Sequence, residues 1–194
     1  MSHFFVLVCA DDESHLEKQL LPFYEYGCDS RLDKLVTPYL EFKSDDDGGY
    51  LYNPNAKWDW YTIGGRADNL IIPGNTALIR ELDLGDIKAQ NRKYAEDIWN
   101  EYEEIFSDER EALKHSAFFE FHVRPEDTRE IYIEREGGAL TWAIVTRDGR
   151  WIERAEMGWW GLYSNEHEDY NEKFWKELES LPKEQRIYIV DCHI

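Results

Sequence analysis

Three short segments hold the residues best suited to bind a ligand or take part in a reaction. They are residues 53–66 (NPNAKWDWYTIGGR), residues 156–163 (EMGWWGLY), and the pair Asp191 and His193 on either side of a cysteine. Tryptophan and tyrosine rings stack on bases or sugars, lysine and arginine neutralise phosphate, and glycine lets backbone amides approach an anion closely. Together these residue types predict a site for a nucleotide-class ligand.

The first segment mixes aromatic and charged residues around a Gly-Gly turn. Its predicted ligand-binding residues are Lys57, Trp58, Asp59, Trp60, Tyr61, Gly64, Gly65 and Arg66. The segment lacks the glycine spacing of a P-loop or of a dinucleotide-binding turn, so the ligand class rests on residue types alone. The structural alternative is that both tryptophans pack on one face of a strand, the aspartate pairs with a nearby cation, and the glycines only form a turn.

The second segment places two tryptophans between glycines, directly after a predicted hairpin. Rings of this size on a loop require a partner, a ligand or another part of the chain to cover them. We therefore expect Glu156, Trp159 and Trp160 to face the first segment and to form one aromatic-walled cleft with it. A purely structural tryptophan cluster is the alternative.

Asp191 and His193 lie two positions apart on a predicted strand and should therefore share one of its faces. They are candidate catalytic residues, as an orienting carboxylate and a general base; two metal ligands or a frayed, polar strand end are the alternatives. Cys192 should point the opposite way and be buried. No GxSxG elbow or HExxH helix accompanies the pair, and we predict neither a bound metal nor a cofactor.

The charge balance narrows the choice of partners. Forty-one acidic against 22 basic residues give a formal net charge of −19, which repels phosphate backbones and anionic membranes. We therefore expect a small-molecule partner, with no direct nucleic-acid or membrane binding, and leave the oligomeric state open. The same charge also fits an acidic inhibitor that imitates DNA and binds a host protein, or simple solubility.

Three cysteines without metal-ligand spacing, and an apolar N-terminal run too short for a signal peptide, predict a cytoplasmic protein.

Alternating strands and helices must position these segments. Hydrophobic periodicity predicts strands at residues 4–9, 140–146, 150–154 and 187–192, and helices at residues 14–25 and 166–180. This order predicts an α+β fold with a mainly antiparallel sheet, helices on one face, and a ferredoxin-like β-α-β-β-α-β core in which the first and last strands are neighbours.

The remaining residues are predicted to form a large insertion in a single domain, residues 1–194. The core would comprise residues 1–26 and 139–194, and the insertion residues 27–138. Within the insertion, apolar residues at helical spacing predict a helix over residues 86–114, and alternation predicts a strand over residues 117–123.

With these segments in view, the chain resembles a family of uncharacterised proteins, many from bacteriophages and mobile elements. That family carries similar N-P-x-x-K-W-D-W-Y-x-x-G-G-R, E-M-G-W-x-G and V-D-C-H segments in the same order, and the chain also has DGRW at residues 148–151. The chain has Ala67 where a tryptophan is common in the family. The resemblance implies a small phage protein that counters host defence, by sequestering or destroying a nucleotide signal or by blocking a defence protein.

Three functions follow from these observations. The first is a non-enzymatic phage protein that sequesters a cyclic or ADP-ribose-like immune signal in the host cytoplasm. The second is a hydrolase of such a ligand that uses Asp191 and His193. The third is an acidic inhibitor or DNA mimic that binds a host protein.

Overall fold

The computed structural model describes residues 2–106, 122–157 and 162–194. Its helices, in chain order, are α1 (Glu13–Leu20), α2 (Ser30–Val36), α3 (Leu84–Phe106), α4 (Arg129–Glu136) and α5 (Tyr170–Ser180). Its strands are β1 (His3–Cys9), β2 (Glu41–Lys43), β3 (Tyr50–Tyr52), β4 (Trp60–Ile63), β5 (Thr76–Leu78), β6 (Ala143–Val145), β7 (Trp151–Glu153), β8 (Glu156–Met157), β9 (Tyr163–Ser164) and β10 (Arg186–His193). Among these residues, no helix is both long and apolar enough to cross a membrane.

The main sheet is built around β10 and β1. Its strand order is β4-β10-β1-β6-β7, and β5 pairs with the first half of β10 beside β4. The pairs are antiparallel except for β1 with β6. The predicted α+β class with a mainly antiparallel sheet is confirmed, and the first and last strands are neighbours as expected.

The strand order departs from the ferredoxin-like arrangement. In that arrangement the third core strand separates the first from the second, as the term split β-α-β implies. Here β1 and β6 pair directly and in parallel, and β7 follows at the edge. In addition, β4 and β5 come from the predicted insertion, yet both extend the main sheet beyond β10.

Alternation along β1 and β10 sorts their side chains onto two faces of the sheet. One face belongs to an apolar cluster that includes α1 and α2 residues as well as the buried Trp58. The strand residues of this cluster are Phe4, Val6, Val8, Tyr188, Val190 and Cys192. The opposite face carries the residues between them, including His3, Asp191 and His193.

Helices lie toward both faces. Leu16 and Leu20 of α1 belong to the cluster on the Val8 face. Cys9 points away from that face, and the Glu177 carboxylate of α5 is close enough to contribute to the raised pKa of its thiol. Helices α1 and α2 therefore cover one face, and α5 lies toward the other, which corrects the prediction that the helices lie on one face.

The chain divides into two compact units. The first comprises Met1–Glu81 and Thr141–Ile194 and holds the main sheet; the second is Leu82–Leu140. In the second unit, Trp99 of α3 packs against Tyr132 of α4, with ring centroids 5.2 Å apart.

The predicted helix over residues 86–114 corresponds to α3 up to Phe106. Residues 107–114 and most of the predicted strand over residues 117–123 lie outside the described residues.

Candidate functional site

Three neighbouring strands bring the predicted catalytic segment together with two residues from other parts of the chain. On β10, His193 lies opposite His3 of β1 on one side and opposite Trp60 of β4 on the other. Directly opposed residues in an antiparallel pair point to the same face. One face of the sheet therefore presents two imidazoles and one indole side by side, with Asp191 two positions along β10.

The first histidine is held by a buried carboxylate. His3 Nδ1 lies 2.9 Å from Asp191 Oδ1, and their side chains are 13% and 3% exposed. The second oxygen of this carboxylate accepts a hydrogen bond from the backbone N–H of Arg66 at 2.9 Å. With both oxygens bonded, Asp191 is fixed between a strand and the Gly-Gly turn.

The second histidine has its own carboxylate. His193 Nδ1 lies 2.7 Å from Asp59 Oδ1, and their side chains are 7% and 20% exposed. The backbone N–H of Asp59 also donates to the His193 carbonyl at 3.0 Å. The backbone pairing of β4 with β10 thus holds this carboxylate beside the ring that it orients.

The two histidine rings are in contact and share one aromatic neighbour. The centroids of His3 and His193 lie 5.1 Å apart at an interplanar angle of 75°. Trp60 stacks on His193 at 5.0 Å and 16°, and meets His3 edge to face at 5.3 Å. Trp60 is 44% exposed, so its indole is available to a ligand on the side that the histidines do not cover.

The hydrogen bonds define how each imidazole can react. An ionised carboxylate only accepts hydrogen bonds, so Nδ1 carries the proton in both pairs and Nε2 is left to gain or lose one. Within the described residues, Trp99 Nε1 is the one buried side-chain nitrogen or oxygen without a partner. The Nε2 atoms of His3 and His193 have no hydrogen-bond partner there and are not among the buried atoms, so both keep some contact with solvent.

The Gly-Gly turn is required by the close approach of Asp191. Gly64 and Gly65 have φ of +74° and +53°, a region that favours glycine. A methyl group at Gly65 would lie 2.5 Å from Asp191 Cβ and 2.6 Å from its Oδ2. The turn therefore leaves room for the carboxylate that orients His3.

A further carboxylate lies near one of the two pairs. The pKa of the Glu25 carboxyl is raised by burial and by the nearby Asp59 carboxylate. Arg66 is exposed, and its guanidinium makes no ion pair with any described residue. Because the Arg66 backbone binds Asp191, its exposed guanidinium is a candidate cation for an anionic ligand.

The cysteines do not supply a thiolate nucleophile. Burial raises the pKa of the Cys9 thiol to about 12 and that of Cys192 well above its usual value. Cys192 lies in the apolar cluster on the opposite face, as the sequence predicted. The pKa of Cys28 is also raised, by partial burial and then by Glu25, Asp59 and Asp33.

The structure brings together only part of the predicted ligand-binding segment. Asp59, Trp60, Gly65 and the backbone of Arg66 lie at the histidine pairs, whereas Gly64 approaches Asn75. Trp58 does not, because it is 1% exposed and its Nε1 donates to the Leu20 carbonyl at 3.1 Å. Tyr61 points to the same side as Trp58, with ring centroids 5.2 Å apart, and burial raises its pKa to about 12.

Lys57 is also placed elsewhere. Its Nζ lies 2.6 Å from Glu153 Oε1 on β7, at the opposite edge of the sheet from β4. The predicted role of Lys57 in neutralising phosphate is therefore replaced by an ion pair within the chain.

Glu156 begins the short strand β8 and accepts a hydrogen bond from Asn165 Nδ2 at 2.9 Å. Trp159 and Trp160 lie outside the described residues, as do the two glycines that flank them. Of the three residues predicted to form the second wall of the cleft, only Glu156 belongs to the described residues.

Sequence reasoning missed His3 as a site residue. A usable signal was present: the first and last strands were predicted neighbours, and in an antiparallel pair the start of one strand lies opposite the end of the other. That rule places His3 beside His193.

Among residues 2–106, 122–157 and 162–194, no group of three or more His, Cys, Asp or Glu side chains is arranged to hold a metal ion. Comparison of the chain with protein-family models, curated proteins and solved structures finds no match.

Proposed function

We propose that the chain hydrolyses a nucleotide-class ligand, with His3 and His193 as its acid–base pair. The observation that supports this proposal is the contact between two imidazoles, each bonded to its own carboxylate through Nδ1 and each open at Nε2. A reaction that removes one proton and supplies another needs two such groups close together. An orienting carboxylate fixes the tautomer and stabilises the imidazolium that forms.

The different surroundings of the two rings assign their roles. A cation over an indole face is attracted by the ring quadrupole, and His193 is the ring stacked on Trp60. We therefore assign His193 as the general acid in its imidazolium form. His3 meets Trp60 through an edge-to-face contact and is assigned as the general base.

The ligand-binding groups lie beside this pair. Trp60 offers part of its indole for stacking with a base, and Arg66 offers a guanidinium for a phosphate. The hydrolase hypothesis from the sequence changes in two respects: His193 becomes the general acid with His3 as the base, and the orienting carboxylates differ. Asp191 orients His3 instead of His193, and Asp59 takes the place beside His193.

The resemblance to proteins of bacteriophages and mobile elements sets the biological context of the proposal. Within that context, the ligand is a nucleotide signal of host immunity, and its destruction in the host cytoplasm counters defence. The cyclic and ADP-ribose-like signals expected from the sequence are the first compounds to test.

The test is a cleavage assay with a panel of cyclic nucleotides, cyclic dinucleotides and ADP-ribose, read by mass spectrometry. His3→Asn and His193→Asn should each reduce kcat by at least about 100-fold, the usual contribution of an acid or base. His15→Asn is the matched control, because His15 is a partly exposed histidine on α1. Wild-type rates in either site variant would refute the role of that histidine, and no cleavage by wild type would refute hydrolysis.

Sequestration without cleavage is the second candidate. It is favoured by the exposed part of Trp60 and by the exposed Arg66, whose guanidinium makes no ion pair with a described residue, since an indole and a guanidinium can bind a ligand without any chemistry. Isothermal titration should then show binding that survives His3→Asn but is weakened by Trp60→Ala and by Arg66→Ala. Recovery of the intact ligand after denaturation separates sequestration from hydrolysis.

A further inference from the structure

We infer that the substrate is a phosphodiester whose reacting phosphate has no second charged phosphate bonded to it, and that pyrophosphates such as ADP-ribose and ATP are poor substrates. This inference rests on the proposed function and narrows its substrate class. It comes from the charges that the described residues bring to the two histidine pairs.

A count of charges at the two pairs shows how little negative charge they can accept. Asp59 and Asp191 carry two negative charges. The imidazolium of the acid supplies one positive charge, and Arg66, whose backbone N–H binds Asp191, can supply another from its exposed side chain. The site is therefore close to neutral when it is ready to react, and one ligand charge is tolerated more easily than two or more adjacent ones.

Residues around the pairs make the binding of a multiply charged anion still less favourable. The backbone N–H of Glu25 donates to the Trp58 carbonyl at 2.7 Å, which places Glu25 beside the segment that carries Asp59, and Glu25 adds a carboxylate there. Lys57, which the sequence offered as a second phosphate ligand, is neutralised by Glu153 at the far edge of the sheet. The whole chain carries a formal net charge of −19, so its long-range field also disfavours polyanions.

The reaction follows from the roles of the two histidines. A water molecule attacks phosphorus while His3 Nε2 takes one of its protons, and a new P–O bond forms. The P–O bond to the leaving ester oxygen breaks, and the His193 imidazolium gives that oxygen its proton. The products are a phosphomonoester and an alcohol. Exchange of one proton with solvent at each ring restores the starting state.

The experiment compares kcat/KM of the wild-type chain for matched adenosine compounds: a 3′,5′-linked dinucleoside monophosphate, cyclic di-AMP, ADP-ribose and ATP. We expect the phosphodiesters to be cleaved at least about 10-fold more efficiently than the pyrophosphates. Added salt should narrow the difference, because it screens charge repulsion.

Substitution of Glu25 tests the electrostatic cause directly. Glu25→Gln should narrow the difference in kcat/KM between phosphodiesters and pyrophosphates, and Glu25→Lys should narrow it further. Each substitution makes the surroundings of Asp59 less negative. Glu179→Lys is the matched control, since it makes the same change in net charge on the exposed side of α5. Glu179→Lys should leave the ratio of kcat/KM between phosphodiesters and pyrophosphates unchanged.

Three outcomes would overturn the inference. If ADP-ribose or ATP is cleaved as efficiently as the phosphodiesters, the substrate class is wrong while the proposed hydrolysis stands. If the difference does not respond to salt or to Glu25→Lys, charge is not its cause. If none of the compounds is cleaved, the proposed hydrolysis fails together with the inference.

Discussion

Trp58 and Trp60 stand two residues apart in one segment and have opposite surroundings. Trp58 is 1% exposed, donates its indole N–H to Leu20, and contacts Tyr24 and Tyr61 in the apolar cluster. Trp60 is 44% exposed and stacks on His193 on the other face of the sheet.

The different surroundings of the two indoles show that the backbone decides which face of the sheet a side chain occupies. Residues two apart share a face only if both belong to one regular strand. Strand β4 begins at Trp60, whereas Trp58 precedes it and forms an isolated parallel bridge with Tyr24. Both tryptophans were ligand candidates because of their residue type. Only Trp60 belongs to β4, so its indole points to the face of the candidate site, whereas Trp58 packs in the core.

The strongest test of this comparison is truncation of each indole. Trp58→Ala should lower the free energy of unfolding by about 3 to 5 kcal/mol, because it leaves a large cavity and an unpaired Leu20 carbonyl. Trp60→Ala should change it by less than about 1 kcal/mol, because the indole is half exposed. Urea denaturation followed by circular dichroism measures both values.

Ligand binding should show the reverse order. Trp60→Ala should weaken nucleotide binding by about 1 to 3 kcal/mol, the value of one stacked base. Trp58→Phe, which keeps a ring in the core, should leave binding unchanged. Equal stability losses in the two alanine variants would contradict the proposed difference between the faces.

The thiols provide a second test, because Cys192 lies on the Trp58 face and adjoins His193 in sequence. In the folded protein, Cys192 should react with a thiol reagent at least about 100-fold more slowly than the exposed Cys28, because reaction requires local unfolding. Cysteine labelling at neutral pH with peptide mass spectrometry measures the rates. Rapid labelling of Cys192 would show that the apolar face is open.

The same burial makes stability dependent on pH. The folded-state pKa of Cys192 is raised above its unfolded value near 9, so its contribution is complete below about pH 9. That contribution should be lost as the pH rises further. A Cys192→Ala variant should lose less stability than wild type between neutral pH and pH 10.

The Gly-Gly turn gives a smaller effect that is confined to the site. Gly65→Ala should reduce activity by about 10-fold more than Gly74→Ala, because only at Gly65 does the methyl group push against the Asp191 carboxylate. Both glycines have positive φ, so their backbone strain is comparable. Similar activities in the two variants would mean that the position of Asp191 does not matter.

The smallest expected effect concerns Lys57. Lys57→Ala should cost about 1 kcal/mol of stability, since it leaves the largely buried Glu153 without its cation. Nucleotide binding should be unchanged, in contrast to Arg66→Ala. Lys43→Ala, at an exposed position in β2, is the control. If Lys57→Ala loses nucleotide binding but keeps normal stability, Lys57 takes part in ligand binding after all.

The sequence predicted the parts of the fold that depend on local pattern. Apolar runs and their alternation located β1, β6, β7 and β10, and alternation also placed Asp191 and His193 on one face. The short β5 was not found, because residues 76–78 carry little apolar pattern and are held by pairing with β10. Long-range pairing of this kind is not encoded within a local window.

The sequence named several residues of the candidate site but not the contacts between them. Asp59, Trp60, Asp191 and His193 were all named, but the hydrogen bonds that pair each histidine with a carboxylate depend on the register between strands. His3 could be added only through the relative direction of β1 and β10. Charge composition alone did not reveal that Lys57 is used for an ion pair.

The pairing of β1 with β10 has a consequence for folding kinetics. The bond between His3 and Asp191 joins residues 188 positions apart, so its formation requires closure of nearly the entire chain. Non-local contacts of this kind carry the largest loop entropy and tend to form slowly. Helices α1 and α5 can therefore form well before the histidines meet. During refolding, recovery of activity should lag behind recovery of helix content and report when the two distant strands join.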